Sequence, residues 1–239
     1  MNRKILITGA SRGIGNAIAE RFAGERDELY LIGFRTVERL RMQAVQWEEK
    51  YHCVVHVDQV DVSDGEAFSE YLQTLPTLDI LVNNAGISIV GLLSDMTLEE
   101  WNRVMATNLT SMFLGCKYVI PGMVRSQKGK IINISSVWGN VGASMEVAYS
   151  ASKGGVNLLT KALAKELAPS HIAVNAIACG VIDTDMNACF SEEEKEELIR
   201  EIPADRMGEA HEVAELVAQL ADSTDYLTGQ IITLDGGWI

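Results

Sequence analysis

The sequence predicts a doubly wound parallel α/β fold, a seven-stranded sheet with helices on both faces, forming a single domain over residues 1–239. Short apolar runs alternate with longer stretches of helical period, as parallel strands joined by helical crossovers require. The runs are nearly all apolar, as in Ile131-Ile132-Asn133-Ile134, so they need cover on both faces. A glycine-rich segment, Thr8-Gly9-Ala10-Ser11-Arg12-Gly13-Ile14-Gly15, falls between the first run and the first helical stretch.

In chain order, a strand over 4–8 passes through that turn into an amphipathic helix over 13–24. Strand, helix and strand follow at 28–33, 37–51 and 52–57, then a helix at 63–75 and a strand at 79–82. One long helical stretch covers 98–126, ahead of strand 130–135, helix 149–168 and strand 171–177. The most polar segment, Ser191-Glu192-Glu193-Glu194-Lys195-Glu196-Glu197, opens a helix over 191–200 whose acidic first turn suits the helix dipole; a solvated helix and a lid over the site both fit it. A helix at 211–221 and a strand at 230–234 complete the set. Composition shows no linker, repeat or low-complexity tract.

Apolar residues make up 47% and charged residues 22% of the 239 positions, which speaks against disorder and fibrous classes. The net charge of −13 repels phosphate backbones and anionic lipids, so neither nucleic acid nor a membrane surface is an expected partner. Cys53, Cys116, Cys179 and Cys189 form no CxxC pair; they read as reduced thiols, with no metal site and no disulfide framework. The apolar stretch after Met1 is too short for a signal peptide, and no window holds the roughly 20 apolar residues of a transmembrane helix. A cytoplasmic protein is expected.

In doubly wound folds ligands sit beyond the carboxyl ends of the strands, where strand order reverses. Gly9, Gly13 and Gly15 let the backbone approach a pyrophosphate, and the helix N-terminus presents free N–H groups to it. Ser11, Arg12 and Ile14 of the same turn are cofactor-binding candidates. The second strand ends Gly33-Phe34-Arg35-Thr36 with no carboxylate for a ribose 2′-hydroxyl. Arg35 with Arg12 can instead pair with a 2′-phosphate, which points to NADP(H), although either arginine also reads as a solvated surface charge. Asp61-Val62 offers an acceptor for the adenine amino group or a turn residue. In Asn83-Asn84-Ala85-Gly86, small residues let the chain pass close to a cofactor while asparagine satisfies strand-end backbone groups.

Tyr149-Ser150-Ala151-Ser152-Lys153 places a phenol and an ammonium on one helix face. The ammonium is expected to lower the tyrosine pKa, suiting it to general acid–base work. Ser136, thirteen positions before Tyr149, could bond the same substrate carbonyl oxygen.

With these motifs in this order, the chain resembles the short-chain dehydrogenase/reductases over essentially its whole length, to Leu227-Thr228-Gly229-Gln230 and Asp235-Gly236-Gly237-Trp238. The resemblance implies a Rossmann-type sheet, a homotetramer and a catalytic tetrad. In it Asn108 holds a water for proton relay, Ser136 polarises the carbonyl, Tyr149 protonates it and Lys153 binds the ribose. It also implies that Gly180, Ile182 and Thr184 line the nicotinamide side. Cys179 replaces the family's usual proline, which implies looser nicotinamide positioning; it reads either as a small-residue replacement or as a reactive thiol. The reaction implied is NADPH-dependent reduction of a small-molecule or carrier-bound ketone.

Two branches compete for the substrate. The first resembles bacterial 3-oxoacyl-acyl-carrier-protein reductases; their carrier-docking arginines correspond to Gln127 and Ser170 here, with Arg125, Lys128 and Lys130 as nearby substitutes. The second resembles reductases of the aminopentanone modification on elongation factor P. There Glu146 pairs with a cationic amine and Trp138 lines the aliphatic part, unless Glu146 caps its helix and Trp138 is packing. A non-catalytic NADP-binding redox sensor is the alternative from another class.

Overall fold

Strand β1 (Lys4–Thr8) turns Ile5 and Ile7 to one face of a sheet and Leu6 to the other, the two-residue period of a strand buried on both sides. The computed structural model describes residues 2–187 and 191–239. After β1 come α1 (Gly13–Ala23), β2 (Glu28–Gly33), α2 (Val37–Tyr51), β3 (Val54–Gln59), α3 (Gly65–Thr74) and β4 (Ile80–Asn83). Helix α4 (Leu98–Met105) runs through a π-helical turn (Ala106–Thr110) into α5 (Ser111–Ser126), followed by β5 (Gly129–Ser136) and the single turn α6 (Trp138–Val141). The rest is α7 (Val147–Leu167), β6 (Ile172–Cys179), β7 (Ile182–Asp183), α8 (Glu192–Glu201), β8 (Gly208–Glu209), α9 (Ala210–Asp222) and β9 (Ile231–Leu234).

Seven strands form one parallel sheet in the order β3-β2-β1-β4-β5-β6-β9. The order reverses between β1 and β4, which fixes the crevice beyond their carboxyl ends as the place for a ligand. One core packs Ile5, Ile7, Ile132, Ile134 and Ile177 against α1, α2 and α9. The opposite core packs Leu6, Leu81, Ile131 and Val174 against α3, α5 and α7.

All seven expected strands are present, with three differences in detail. Edge strand β3 starts two residues late because His52 adopts a left-handed conformation (φ 58°) and closes α2 through its N–H to the Glu48 carbonyl. The expected helix 98–126 is interrupted by the π turn. A two-stranded ribbon, β7 with β8, fastens the segment after β6. Among the described residues no helix is long and apolar enough to cross a membrane. Cys53, Cys116 and Cys179 are free and buried, and Cys189 lies outside the described residues.

Candidate active site

The glycine turn after β1 is held open by sterics on every side. Gly9 has φ +66°, and a Cβ on it would sit 2.9 Å from the Ala85 Cα; a Cβ on Gly15 would sit 2.3 Å from the Gly9 carbonyl oxygen. The Asn84 amide donates to the Thr8 and Gly9 carbonyls at 3.0 and 3.1 Å, while the Thr8 hydroxyl accepts from the Asn84 and Ala85 N–H groups. Asn84 therefore shapes the site by stitching the turn to the end of β4, the strand-end role its sequence position suggested. Arg12 precedes α1 with no side-chain cap and the first turn holds no acid, so its early N–H groups face the crevice uncommitted. Thr184 closes the other side: a Cβ on Gly13 would lie 3.4 Å from the Thr184 Cβ.

These residues line one cleft of about 700 Å³, a volume suited to a small ligand. It runs from Ser11, Arg12, Ile14, Arg35, Asp61 and Val62 at one end, past Gly86, Gly180 and Ile182, to Ser136, Trp138, Glu146, Tyr149 and Lys153 at the other. Arg12 lies 4.0 Å from Asp185, and Arg35 is exposed with no ion pair among the described residues. Asp61 accepts from the Ser63 N–H and hydroxyl through one oxygen, which leaves the second for a ligand.

Ser136 ends β5, and Tyr149 and Lys153 share one face of α7, so strand and helix bring the three together. The Lys153 ammonium lies 5.6 Å from the centre of the Tyr149 ring and donates to the Ile134 carbonyl at 2.8 Å. The expected lowering of the Tyr149 pKa is corrected: burial pushes the phenol up, with Ser136 partly opposing, because removing the site from water disfavours phenolate. The same burial pulls Lys153 down to about 8. At neutral pH the phenol is held protonated.

Asn108 is fully buried in the π turn, and its side chain is fully engaged. Its oxygen accepts from the Ile87 N–H at 2.8 Å, and its amide donates to the Ile87 carbonyl at 2.9 Å and to the Ser152 hydroxyl at 3.0 Å. The side chain thus ties the loop after β4 to α7.

At Cys179 the end of β6 stays within the sheet. Cys179 pairs in register with Ser136 and Leu234, its carbonyl accepts from the Val137 N–H at 2.9 Å, and a Cβ on Gly180 would meet Asp235 at 2.7 Å. Burial pushes its thiol up to about 12, which keeps it neutral at physiological pH.

Ser88, Arg103, Thr107 and Trp238 are among the lining residues that the sequence did not mark as part of the site. Trp238 stands edge-on to Trp138 with ring centres 5.0 Å apart, and the Ser88 hydroxyl donates to Glu146. Glu146 precedes α7 but makes no side-chain cap bond, so the capping alternative falls. Lys128 and Lys130 flank the start of β5, roughly 23 Å from Ser136 at strand rise, with Gln127 beside them. The far end of the sheet, not the rim of this cleft, carries those positions.

Comparison with known proteins bears on the family and the fold. The short chain dehydrogenase family matches residues 3–195. A 3-oxoacyl-acyl-carrier-protein reductase from Aquifex aeolicus is 40% identical, covering 97% of this chain and 95% of the relative. The crystal structure of a 3-oxoacyl-acyl-carrier-protein reductase from Brucella melitensis is 34% identical with a TM-score of 0.92, covering 99% of this chain and 91% of that one. YwfH, an NADPH-dependent reductase involved in bacilysin biosynthesis, is 26% identical with a TM-score of 0.94 over 100% of this chain and 99% of its own. The chain belongs to the short chain dehydrogenase family and is an oxidoreductase of that family.

Proposed function

We propose that the protein reduces a ketone to a secondary alcohol with NADPH, in the manner of a 3-oxoacyl-acyl-carrier-protein reductase. The observation that carries this reading is the convergence of Ser136, Tyr149 and Lys153 in the cleft that also holds the glycine turn. The cofactor fits what is present: the space above Gly9 and Gly15 admits no side chain, and among the described residues the first N–H groups of α1 are uncommitted and Arg35 has no acid partner. Arg12 and Arg35 would hold the 2′-phosphate and Lys153 the ribose hydroxyls. When bound, NADPH supplies the hydride.

Ser136 donates to the ketone oxygen and orients it. Tyr149 gives that oxygen its proton as negative charge develops there, and its burial keeps the proton available at neutral pH. Lys153, charged below about pH 8, favours the phenolate that remains. The balanced reaction consumes one ketone, one NADPH and one proton. NADPH oxidation with an acetoacetyl thioester tests the reading; no turnover with that thioester removes the carrier-type substrate. The homotetramer belongs to the same reading, and light scattering giving a monomer would remove it.

A second substrate reading rests on Glu146. Its carboxylate lines the cleft beside Ser88, close enough to Tyr149 to raise the phenol pKa further. An acid there suits a ketone bearing an amine, as in the aminopentanone modification on elongation factor P, with Trp138 and Trp238 against the aliphatic part. Glu146→Gln decides between them: lost kcat/KM on the amino ketone with the thioester unaffected supports the second reading, and unchanged rates on both remove Glu146 from it.

A further inference from the structure

We infer that Ser152, one residue before Lys153, is a positioning residue that sets Asn108 against Tyr149. The inference rests on the reductase reading and adds a group to its machinery.

Ser152 is fully buried inside α7. Its hydroxyl has one proton, which goes to the Tyr149 carbonyl at 2.7 Å. Its lone pairs are therefore left to accept, and Asn108 donates to them at 3.0 Å. The hydroxyl thus links the π turn directly to the backbone of the residue that carries the phenol. An unbroken helix offers that same Tyr149 carbonyl to the Lys153 N–H, so the link reaches both members of the pair.

Sterics make this contact close. Three residues further along the same face of α7 stands Gly155, where a Cβ would lie 2.7 Å from the Leu109 side chain. The π turn therefore rests on α7 at two adjacent points, an apolar one at Gly155 with Leu109 and a polar one at Ser152 with Asn108. The asparagine has no slack: its remaining bonds go to Ile87, on the loop that lines the cleft. Alanine at 152 would leave one buried N–H of Asn108 without a partner, and the asparagine would have to turn or draw in water. Either response shifts the π turn relative to Tyr149 and Lys153 while leaving the glycine turn and both arginines untouched.

The test is a double-mutant cycle on kcat for NADPH-dependent reduction of a small β-keto ester, with Ser152→Ala, Asn108→Ala and the double variant. Ser152→Ala is expected to lower kcat about tenfold, the scale of one orphaned buried donor, with the NADPH KM within about twofold of wild type. In the Asn108→Ala background the same substitution should cost less than about twofold, because Ser152 acts through Asn108. An equal penalty in both backgrounds overturns the proposal, as does a lowered Tm with kcat unchanged. Amide hydrogen exchange over 106–110 gives a readout free of turnover: Ser152→Ala should speed it several-fold, and unchanged exchange overturns the tie. Were the wild type to leave both ketone and NADPH untouched, the reductase reading would fail, and exchange alone would decide the role of Ser152.

Discussion

The two ends of the sheet use their cations in opposite ways. Beyond the amino ends of the strands, Arg3 binds Asp27, Asp222 and Glu25, Lys128 lies 3.3 Å from Asp79, His171 is 2.8 Å from Asp225, and Lys130 donates to the Ser223 carbonyl. Beyond the carboxyl ends, Arg35 and Arg103 have no acid partner among the described residues, and Arg12 has only an exposed one at 4.0 Å. Both ends are concave, with a cavity of about 290 Å³ at the first and the larger cleft at the second. What separates them is the pairing of the arginines: at one end Arg3 closes the fold on its acids, and at the other Arg35 and Arg103 stand without an acid among the described residues.

The largest way to break this contrast is Tyr149→Phe, which keeps the shape of the carboxyl end and removes the proposed proton donor. Reduction is expected to fall by about 10²–10⁴ in kcat with NADPH binding retained, checked by steady-state kinetics and fluorescence titration. Retained turnover would end the acid role of Tyr149. Arg35→Ala comes next: losing a charge-assisted contact should raise the NADPH KM about 10- to 100-fold and leave the NADH KM nearly unchanged. An equal rise for both nucleotides would detach Arg35 from the 2′-phosphate.

A pH series sharpens the comparison without mutation. Lys153 sits at about 8, below its ordinary value, so its charge is present under that pH and lost above it, while Tyr149, pushed up by burial, stays protonated throughout. The kcat/KM for reduction should hold level below about pH 8 and fall above it; a flat profile to pH 10 would separate Lys153 from the reaction. At the amino end, Arg3→Ala strands the buried Asp27 and should lower Tm while kcat/KM stays at wild type. Lys128→Ala, at an exposed pair, should leave both nearly unmoved. Loss of kcat/KM in either variant would join the far end to catalysis.

Much of the site was legible because its requirements are local. Gly9, Gly13 and Gly15 are demanded by a tight turn, and Tyr149 and Lys153 share a face because they lie four apart on one helix. What sequence could not give arises between distant segments. Trp238 meets Trp138 from the other end of the chain, and Ser88 meets Glu146 across 58 positions. The pKa of Tyr149 turned on how far α7 sinks into the protein, which no i,i+4 spacing encodes. The π turn was equally hidden, because an extra residue in a helix leaves the apolar pattern of 98–126 readable as one helix.

The stitch from Asn84 to the Thr8 and Gly9 carbonyls is made entirely by the protein's own groups, so the glycine turn is braced before a nucleotide arrives. At that turn little ordering remains to be done on binding, so less of the binding free energy is lost to it. Added nucleotide should then raise the melting temperature by mass action alone, about 2.7 kcal/mol of extra stability at a hundredfold excess over its Kd.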